Sequence, residues 1–525
     1  MKNHFGKALS GEKIMRATIS LCLVISALIA IYVLPSVGED KPASYWLEKA
    51  NDYYKAGSFD IALLSVNKSL EIDPSNIEAW RLKGDSFYAS HLYKNAFDSY
   101  NKVLRLDSND TGAYNAKANT LMMLGNYKDA ISSYNKTIGL NPLDAEAWTG
   151  QGNAFYKMGA YKSALASYNN SIDIDASFEE AWSAKAKILN QLGDYREALT
   201  ASENALSLNQ KDSEAWLNKG IALNKIGRYG DALSSINRSL VIDSRNAIAW
   251  ANKGFALYGL GRYEEAVVSF TTGIKINSSD AEAWAGKANA LAEIGMYEEA
   301  LSSYNISLDL DKSKADVWTR KSHVLNELGR YEEAIGASSK ATDIDPFDAD
   351  AWSNKGNAQY HLGKYADSLK SFEKTLEINP LDSGAWYSKG LVLAEMGNYQ
   401  DALDAFNKST KIDPKNIASW INRGNILLKL NRSEDAIASY EKAIGLNPSS
   451  STAWYGKGVA QNQSGKYTDA LASYNQSIQL SPSNAAAWHG KGLVLKSLNS
   501  TDESEKALSK AEELGYKNAT KSEAI

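Results

Sequence analysis

The sequence of 525 residues carries 57 Lys and Arg against 62 Asp and Glu, a formal net charge of -5. This nearly balanced charge gives no electrostatic pull towards nucleic acid, so we expect no nucleic-acid partner. The hydrophobic fraction of 44% suffices for a large core and excludes a chain that is disordered throughout. Cys22 is the single cysteine, which excludes an intramolecular disulfide and a cysteine-based metal site.

The N-terminal residues are typical of an export or anchoring signal. Residues 17–34 contain no charged side chain, and a helix of this length, rising about 1.5 Å per residue, reaches close to the hydrocarbon thickness of a bilayer, about 30 Å. Residues 1–16 are basic, so the positive-inside rule places them in the cytoplasm and the rest of the chain outside, beyond a short linker at residues 35–42. The sequence thus predicts a single-pass membrane protein with extracytoplasmic repeats. The alternative is a secreted protein after signal cleavage near Gly38, because Ser36 and Gly38 are small.

The tryptophans reveal a repeat of 34 residues in the remainder of the chain. All 13 Trp lie on one grid with this spacing, and Tyr114 stands at the one grid position without Trp. A fixed period of this length is typical of a helix-turn-helix unit that buries its faces only against its neighbours. Residues 43–518 therefore read as fourteen repeats, followed by a tail at residues 519–525. We expect each Trp to pack in the core rather than to hold a ligand.

Turn residues and small residues divide each repeat into two helices. Gly stands eleven residues after the Trp position in eleven repeats, where a helix end needs a left-handed residue, so the first helix (helix A) ends there. Two residues later, Tyr or Phe begins a second apolar-periodic run (helix B), which ends at an Ile or Leu and is followed in seven repeats by Pro. Ala or Gly at two further positions lets the helices approach closely.

The motifs AWxxKG, LGxYxxAL, SYNxSI and IDP, in that order, resemble the tetratricopeptide repeat, and the resemblance covers most of the chain. It implies an all-α fold, a right-handed superhelical solenoid of about 14 tandem repeats. In such a solenoid the A helices line a concave groove and the B helices form the outside. The departures from the motif are local: Tyr114 replaces Trp, Asn431 and Asn499 replace the turn Gly, and a polar last helix suits a solvent-facing cap.

Five positions on helix A are expected to face the groove: two before the Trp position, and one, five, eight and nine after it. Asn is the commonest residue at the fifth position, and its amide both donates to and accepts from an extended peptide backbone. Acids two before the Trp favour a basic or mixed partner segment, and Tyr at the eighth position adds contact area. The predicted peptide-binding residues are Asn119, Asn153, Asn289, Asn357, Asn425, Tyr156, Tyr258, Tyr360, Glu146, Glu180 and Glu214. The Asn row resembles the asparagine ladder of O-linked N-acetylglucosamine transferase; the alternative is a merely solvated polar face.

Catalysis has no support in the sequence. The five His are far apart in the repeats, and no nucleophile motif or phosphate-binding loop accompanies them, so we expect no enzyme, metal or cofactor. The leading hypothesis is a membrane-tethered protein-protein interaction scaffold whose extracytoplasmic repeats bind peptide segments or assemble envelope complexes. The alternatives are a self-associating structural envelope component and a targeting subunit for a glycosyltransferase-type enzyme carried on a separate chain.

Asn-x-Ser/Thr sequons recur at one position of helix B. Because the repeat itself is copied, these seven sequons count as one observation. Asn-x-Ser/Thr is the acceptor sequence for N-glycosylation outside the cell, although sequons on a regular helix accept less well than those on loops. The seven asparagines are Asn67, Asn135, Asn169, Asn237, Asn305, Asn407 and Asn475.

Overall fold

The computed structural model describes residues 41–516, and within them the chain is all-α, with 28 helices and no strand. Odd-numbered helices are the A helices of fourteen repeats, and even-numbered helices are the B helices. The chain divides into two compact units, the first ending at Arg262 and the second beginning at Tyr263.

Unit 1 contains thirteen helices. They are α1 Ala43–Lys55, α2 Phe59–Ile72, α3 Ile77–Ala89, α4 Tyr93–Leu106, α5 Thr111–Met123, α6 Tyr127–Leu140, α7 Ala145–Lys157, α8 Tyr161–Ile174, α9 Glu179–Leu192, α10 Tyr195–Leu208, α11 Ser213–Lys225, α12 Tyr229–Ile242 and α13 Ala247–Gly259.

Unit 2 contains fifteen helices. They are α14 Tyr263–Ile276, α15 Ala281–Glu293, α16 Tyr297–Leu310, α17 Ala315–Glu327, α18 Tyr331–Ile344, α19 Ala349–His361, α20 Tyr365–Ile378, α21 Ser383–Glu395, α22 Tyr399–Ile412, α23 Ile417–Lys429, α24 Ser433–Leu446, α25 Ser451–Gln463, α26 Tyr467–Leu480, α27 Ala485–Ser497 and α28 Thr501–Glu513.

Within each unit, every helix packs on the next helix of the chain, and most consecutive A helices also touch. This is the stacking that a tandem helical repeat requires, because one helix pair cannot bury its own apolar faces. The solenoid is therefore confirmed, whereas its superhelical handedness stays a prediction.

The predicted membrane segment lies outside the described residues. Residues 1–40 and 517–525 are not described, so the basic stretch 1–16, the apolar stretch 17–34 and the tail 519–525 stay predictions. No helix within residues 41–516 is both long enough and apolar enough to cross a lipid bilayer.

The turn between helix A and helix B forms where the glycines predict it. Gly159 follows α7 with a φ of 74°, and the glycine is left-handed in each of the eleven repeats that carry it. Where glycine is missing, His91, Asn431 and Asn499 adopt the same left-handed backbone, with φ near 60°. Asn tolerates this conformation better than most residues, so the replacement at Asn431 and Asn499 keeps the turn.

In the core of a repeat, small residues on both helices surround a large side chain of helix B. In repeat 4, Ala164 is fully buried, and a Cβ added to Gly152 would lie only 2.5 Å from the Tyr168 ring. In repeat 10, a Cβ on Gly356 would lie 3.0 Å from the Phe372 ring. The small residues thus admit a large ring from helix B, as their pattern predicts.

The tryptophans pack against the core, as Trp318 and Trp250 do, but they are half-buried, so the expectation from the sequence holds for the packing and not for full burial. In twelve repeats the indole N–H donates to a carbonyl six residues earlier, in the turn that precedes helix A, as Trp352 does to Pro346 at 3.0 Å. In eleven repeats a Lys or Arg three residues later lies over the ring; Lys355 Nζ is 5.0 Å from the Trp352 ring centroid. Each Trp therefore closes a turn with one edge and is covered by a cation on one face.

The recurring sequons have a packing explanation. In all seven, the Ser or Thr hydroxyl is fully buried and donates to the carbonyl of the first residue of its own helix A. Ser171 donates to Ala145 at 2.8 Å, and Ser307 donates to Ala281 at the same distance. The hydroxyl that defines each sequon thus joins helix B to helix A in the folded chain.

Candidate functional site

The predicted groove positions of three consecutive A helices line one cleft in each unit. The unit 1 cleft, about 590 Å³, spans α7, α9 and α11 and contains Asn153, Tyr156, Glu180 and Glu214. The unit 2 cleft, about 400 Å³, spans α15, α17 and α19 and contains Asn289. Five of the eleven predicted residues are thereby placed in clefts that three A helices share.

The other six predicted residues lie outside both clefts. Asn119 and Asn357 are half-buried, as are Tyr258 and Tyr360, whereas Asn425 and Glu146 are exposed. Tyr360 makes an edge contact with His361, with ring centroids 5.5 Å apart. Burial raises the pKa of the Tyr360 hydroxyl, and the nearby Glu395 adds to the effect.

The Asn row has a structural partner that sequence reasoning missed. The side-chain carbonyl of Asn153 accepts a hydrogen bond from the buried Tyr168 hydroxyl at 2.7 Å. Asn289 accepts in the same way from Tyr304 at 2.6 Å, as do Asn119 from Tyr134 and Asn425 from Tyr440. A Tyr fifteen residues after the Asn is the sequence signal for this bond. Much of the Asn row therefore satisfies buried hydroxyls through its side-chain oxygens, and its amide N–H groups face a ligand without that task.

In two repeats one partner of this hydrogen bond is replaced. The residue fifteen after Asn357 is Phe372, which packs on the neighbouring Gly356 and has no hydroxyl to donate. In repeat 2, Asp85 replaces Asn and accepts from the Tyr100 hydroxyl at 2.7 Å. Burial raises the pKa of Asp85, while the hydrogen bond from Tyr100 and the charge of Arg81 oppose that shift. Most of these buried Tyr hydroxyls therefore find their hydrogen-bond acceptor at the fifth position of helix A.

Contacts in the unit 1 cleft join neighbouring repeats. The Asn153 amide donates to a Glu180 carboxylate oxygen at 3.4 Å, a long hydrogen bond. Lys187, at the fifth position of α9, forms an ion pair with Glu214 of α11. Its ammonium also lies 5.5 Å from the centroid of the Tyr156 ring. These contacts place amide, carboxylate, ammonium and aromatic groups side by side in the cleft across three A helices.

Carboxylates in and beside this cleft have raised pKa values. Burial and the hydrogen bond and charge of Asp212 raise the pKa of Glu179 to about 7. Partial desolvation of the carboxyl of Glu146 by its neighbours, followed by repulsion from Asp144 and Glu180, raises its pKa although the residue as a whole is exposed. Burial opposes the charge on Lys187, but its hydrogen bond and ion pair with Glu214 outweigh burial and raise its pKa. The wall of the cleft is thus crowded with acids that a cationic side chain would stabilise.

The unit 2 cleft has the same positions and a different charge. Asp316 and Asp350 project from α17 and α19 at the position two before the Trp, and both are exposed. Asp348 accepts from the Thr319 hydroxyl at 2.5 Å and also caps α19. His323 stands at the fifth position, where Asn is the commonest residue of the fourteen repeats. Arg320 is a cation on the cleft wall.

Sequence reasoning missed three lysines and two acids of the unit 1 cleft. Lys157, Lys187 and Lys211 line the unit 1 cleft beside Glu179 and Asp212. The signal for Lys187 was its place at the fifth position, where the sequence reading looked for Asn alone. Within residues 41–516 no group of three or more His, Cys, Asp or Glu is arranged to hold a metal ion.

The fold and the clefts define an all-α repeat array with variable chemistry on its A helices. The family model described as tetratricopeptide repeat matches residues 47–111, 115–177, 183–247, 252–315, 354–417, 421–485 and 463–519. A second model, described as TPR repeat, matches residues 323–363. The chain belongs to the tetratricopeptide repeat family, and this membership supports a protein-protein interaction scaffold.

Comparison with whole proteins adds little beyond the fold. No curated protein matches the chain. Among solved structures, "APC/C hetero-tetramer Cut9-Hcn1" is 17% identical, covering 87% of this chain and 96% of that chain, with a TM-score of 0.44. "YrrB: a TPR protein with an unusual peptide-binding site" is 22% identical over 36% of this chain and 96% of its own, with a TM-score of 0.33. MamA from Desulfovibrio magneticus RS-1 is 20% identical over 32% and 94%, with a TM-score of 0.31. With TM-scores this low, these likenesses say nothing about what this chain binds.

Proposed function

We propose that the chain is a non-enzymatic scaffold whose unit 1 cleft binds an extended segment of a partner protein. The observation that carries this proposal is the line of polar side chains that crosses three A helices in one cleft of about 590 Å³. An extended peptide offers a donor and an acceptor at every residue, so it matches a row of amides and carboxylates better than a compact ligand does.

The existing contacts in the cleft exchange easily for contacts with a ligand. The Asn153 amide reaches Glu180 only at 3.4 Å, so a peptide carbonyl replaces this bond at little cost. The ion pair of Lys187 with Glu214 is partly exposed, and exposed ion pairs stabilise a fold by about 0–1 kcal/mol. A partner with both charges therefore satisfies each member of the pair separately.

Charge decides which side chains the segment carries. Glu179, Glu180, Glu214 and Asp212 line the cleft with three lysines. A segment with mixed charge, including at least one basic residue near Glu179 and Glu180, fits this wall best.

The proposal includes the location of the scaffold. Residues 17–34 anchor the chain as a single membrane span, with the repeats outside the cytoplasm, where they bind or assemble envelope proteins. The uncharged stretch of the sequence and the basic residues before it support this topology.

The cleft is tested by selecting peptides from a displayed random library against the full-length protein. We expect the selected peptides to be extended and to carry basic residues, and to lose about tenfold in affinity with Glu180→Gln. The matched control is Glu332→Gln, on an exposed position of the B helix α18. Selection of no peptide, or equal binding by both variants, contradicts the proposal.

The fifth position is tested by a second matched pair. Asn153→Ala and Asn289→Ala each leave one buried Tyr hydroxyl without its acceptor, one in each unit. Their effects on stability should therefore be similar, whereas only Asn153→Ala should weaken peptides of the unit 1 cleft. Equal weakening by both variants would show that the loss comes from destabilised packing and not from the cleft.

Topology is tested by protease treatment of intact cells that express the chain with a C-terminal tag. Digestion of the tag from outside, with residue 1 still present by N-terminal sequencing, supports the anchored topology. A tag that is protected until lysis contradicts it, and a new N-terminus near residue 38 selects the secreted alternative.

A further inference from the structure

Unit 2 carries acids on only part of its row of A helices. Two residues before the Trp position, α15, α17 and α19 carry Glu282, Asp316 and Asp350, all exposed. At this position the next four A helices carry no charge. Their residues are Gly384, Ala418, Thr452 and Ala486.

The acids of α15 to α19 are largely uncompensated. Asp316 and Asp350 form no ion pair with any residue of the described range 41–516. Glu327 adds an exposed acid at the ninth position of α17. Glu282 pairs with Lys314 at 3.3 Å, and Arg320 is the cation on the cleft wall. We call the helices α15, α17 and α19 the acidic stretch. Their uncompensated negative charge attracts cations.

The following A helices carry large apolar side chains instead. One residue after the Trp position, α21, α23 and α25 present Tyr387, Ile421 and Tyr455, all half-buried. The same position in α15, α17 and α19 holds only small residues, Ala285, Thr319 and Ser353. The helix α27 carries His489 at this position, and α21 and α23 carry the exposed Glu395 and Lys429 nine residues after the Trp. We call the helices α21, α23, α25 and α27 the apolar stretch because of the large apolar side chains one and five residues after their Trp.

The fifth position repeats this change along the apolar stretch. Leu391 and Val459 are half-buried, and Leu493 is 43% exposed, while Asn425 is the polar exception. The Asn422 amide donates to the Tyr387 hydroxyl at 3.2 Å, which fixes this ring between α21 and α23. Fixed aromatic rings with part of their surface exposed are the residue types that concentrate binding energy.

We propose that unit 2 binds one segment of a partner protein in which a basic block lies over the acidic stretch and an apolar block lies over the apolar stretch. A wholly basic segment leaves the rings of α21 to α25 in water, and a wholly apolar segment buries Asp316 and Asp350 without partners, which is costly. This inference rests on the proposed scaffold function but names a second site and its ligand class.

The probes are two labelled synthetic peptides of equal composition, tested with the full-length protein. One peptide joins a block of Lys and Arg to a block of Leu and Phe, and it is made in both block orders. The other peptide interleaves the same residues. We expect one order of the blocked peptide to bind about tenfold more tightly than the interleaved peptide. Equal affinities overturn the proposal.

Matched variants assign the two blocks. Asp316→Asn combined with Asp350→Asn should weaken the blocked peptide and reduce the dependence of its affinity on salt, whereas Glu332→Gln should change neither. Leu493→Ser should weaken it as well, while Leu381→Ser should not, because Leu381 is 74% exposed in the turn before α21. Thermal unfolding of each variant checks that the fold is retained.

The outcomes separate this inference from the proposed function. If library peptides bind in a manner sensitive to Glu180 while both blocked peptides fail to bind, the unit 1 proposal stands and the unit 2 proposal is wrong. If the blocked peptide binds but depends on Glu180 and not on Asp316 and Asp350, the unit 2 proposal is also wrong. If no peptide of either kind binds, both proposals fail.

Discussion

The clefts of the two units use the same repeat positions but differ in charge. In the unit 1 cleft the acids face cations, as in the ion pair of Lys187 with Glu214. In the unit 2 cleft Asp316 and Asp350 have no cation paired with them among residues 41–516. Both clefts contain the same hydrogen bond from a buried Tyr hydroxyl, which is accepted by Asn153 in unit 1 and by Asn289 in unit 2. The framework is thus held constant, while substitution at a few exposed positions sets what each cleft attracts.

The largest expected effect is the loss of stability when a buried ring between helix A and helix B is removed. This loss should be equal in the two units. Tyr168→Ala and Phe372→Ala each remove a buried ring from between a helix pair. We expect each to lower the free energy of unfolding by about 3–5 kcal/mol, as other large-to-small core changes do. Denaturant unfolding measures this loss. A much smaller loss in one unit would break the equivalence of the two frameworks.

The next effect concerns charge. Lys187→Met removes the cation but keeps most of the aliphatic stem, so the unit 1 cleft should become acidic like that of unit 2. We expect basic library peptides to bind about fivefold more tightly, near 1 kcal/mol, with a steeper dependence on salt. The control is Lys370→Met, whose side chain is 78% exposed on the B helix α20. Unchanged affinity for the basic peptides would mean that Lys187 does not set the charge preference.

A pair of opposite changes tests the hydrogen bond under each cleft. Tyr168→Phe removes the donor to Asn153 and should lower the free energy of unfolding by about 1 kcal/mol. Phe372→Tyr places a hydroxyl opposite Asn357 and should raise it by a similar amount. Denaturant midpoints at constant slope report both changes. A loss of stability in Phe372→Tyr would show that Asn357 does not accept this bond.

The smallest effect is a pH dependence confined to unit 1. The pKa of Glu179 is raised to about 7, so the folded chain holds this proton more tightly than the unfolded chain. Between the ordinary pKa of Glu and pH 7, rising pH therefore removes stability, and above pH 7 the penalty is complete. Glu179→Gln should unfold about 1–2 °C higher than the native chain at pH 8, after allowance for solvent screening, and at the same temperature at pH 4. Equal melting temperatures at both pH values, with Glu332→Gln as control, contradict this assignment.

Most of the fold was predictable because its signals are local. Helix A of repeat 4 ends at Lys157, two residues before the left-handed Gly159, and Tyr161 begins helix B as the pattern indicates. Turn chemistry acts over a few residues and is copied in every repeat, so each element is predicted many times over. The Trp grid also gave the repeat length, although half-burial of Trp352 and its bond to the Pro346 carbonyl required the structure.

The clefts were only partly predictable because their contacts join different repeats. Asn153 and Glu180 are 27 residues apart, and so are Lys187 and Glu214. The helical period places such residues on the exposed face of helix A, but it does not state which neighbour each one meets. The bond of Asn153 to Tyr168 was likewise visible only once the two helices were packed, although its fifteen-residue spacing recurs in the sequence.

The sequence by itself determined a tandem array of helix pairs, with the turns, the small-residue contacts and the family, because each rests on local conformational preference repeated at a fixed period. Tertiary structure alone decided which polar side chains serve the fold and which remain for a partner. Ser171 illustrates the difference: its sequon reads as a surface feature, yet its hydroxyl is buried and bonded to Ala145. A buried donor must find an acceptor, and only the packed helices determine which acceptor lies within reach.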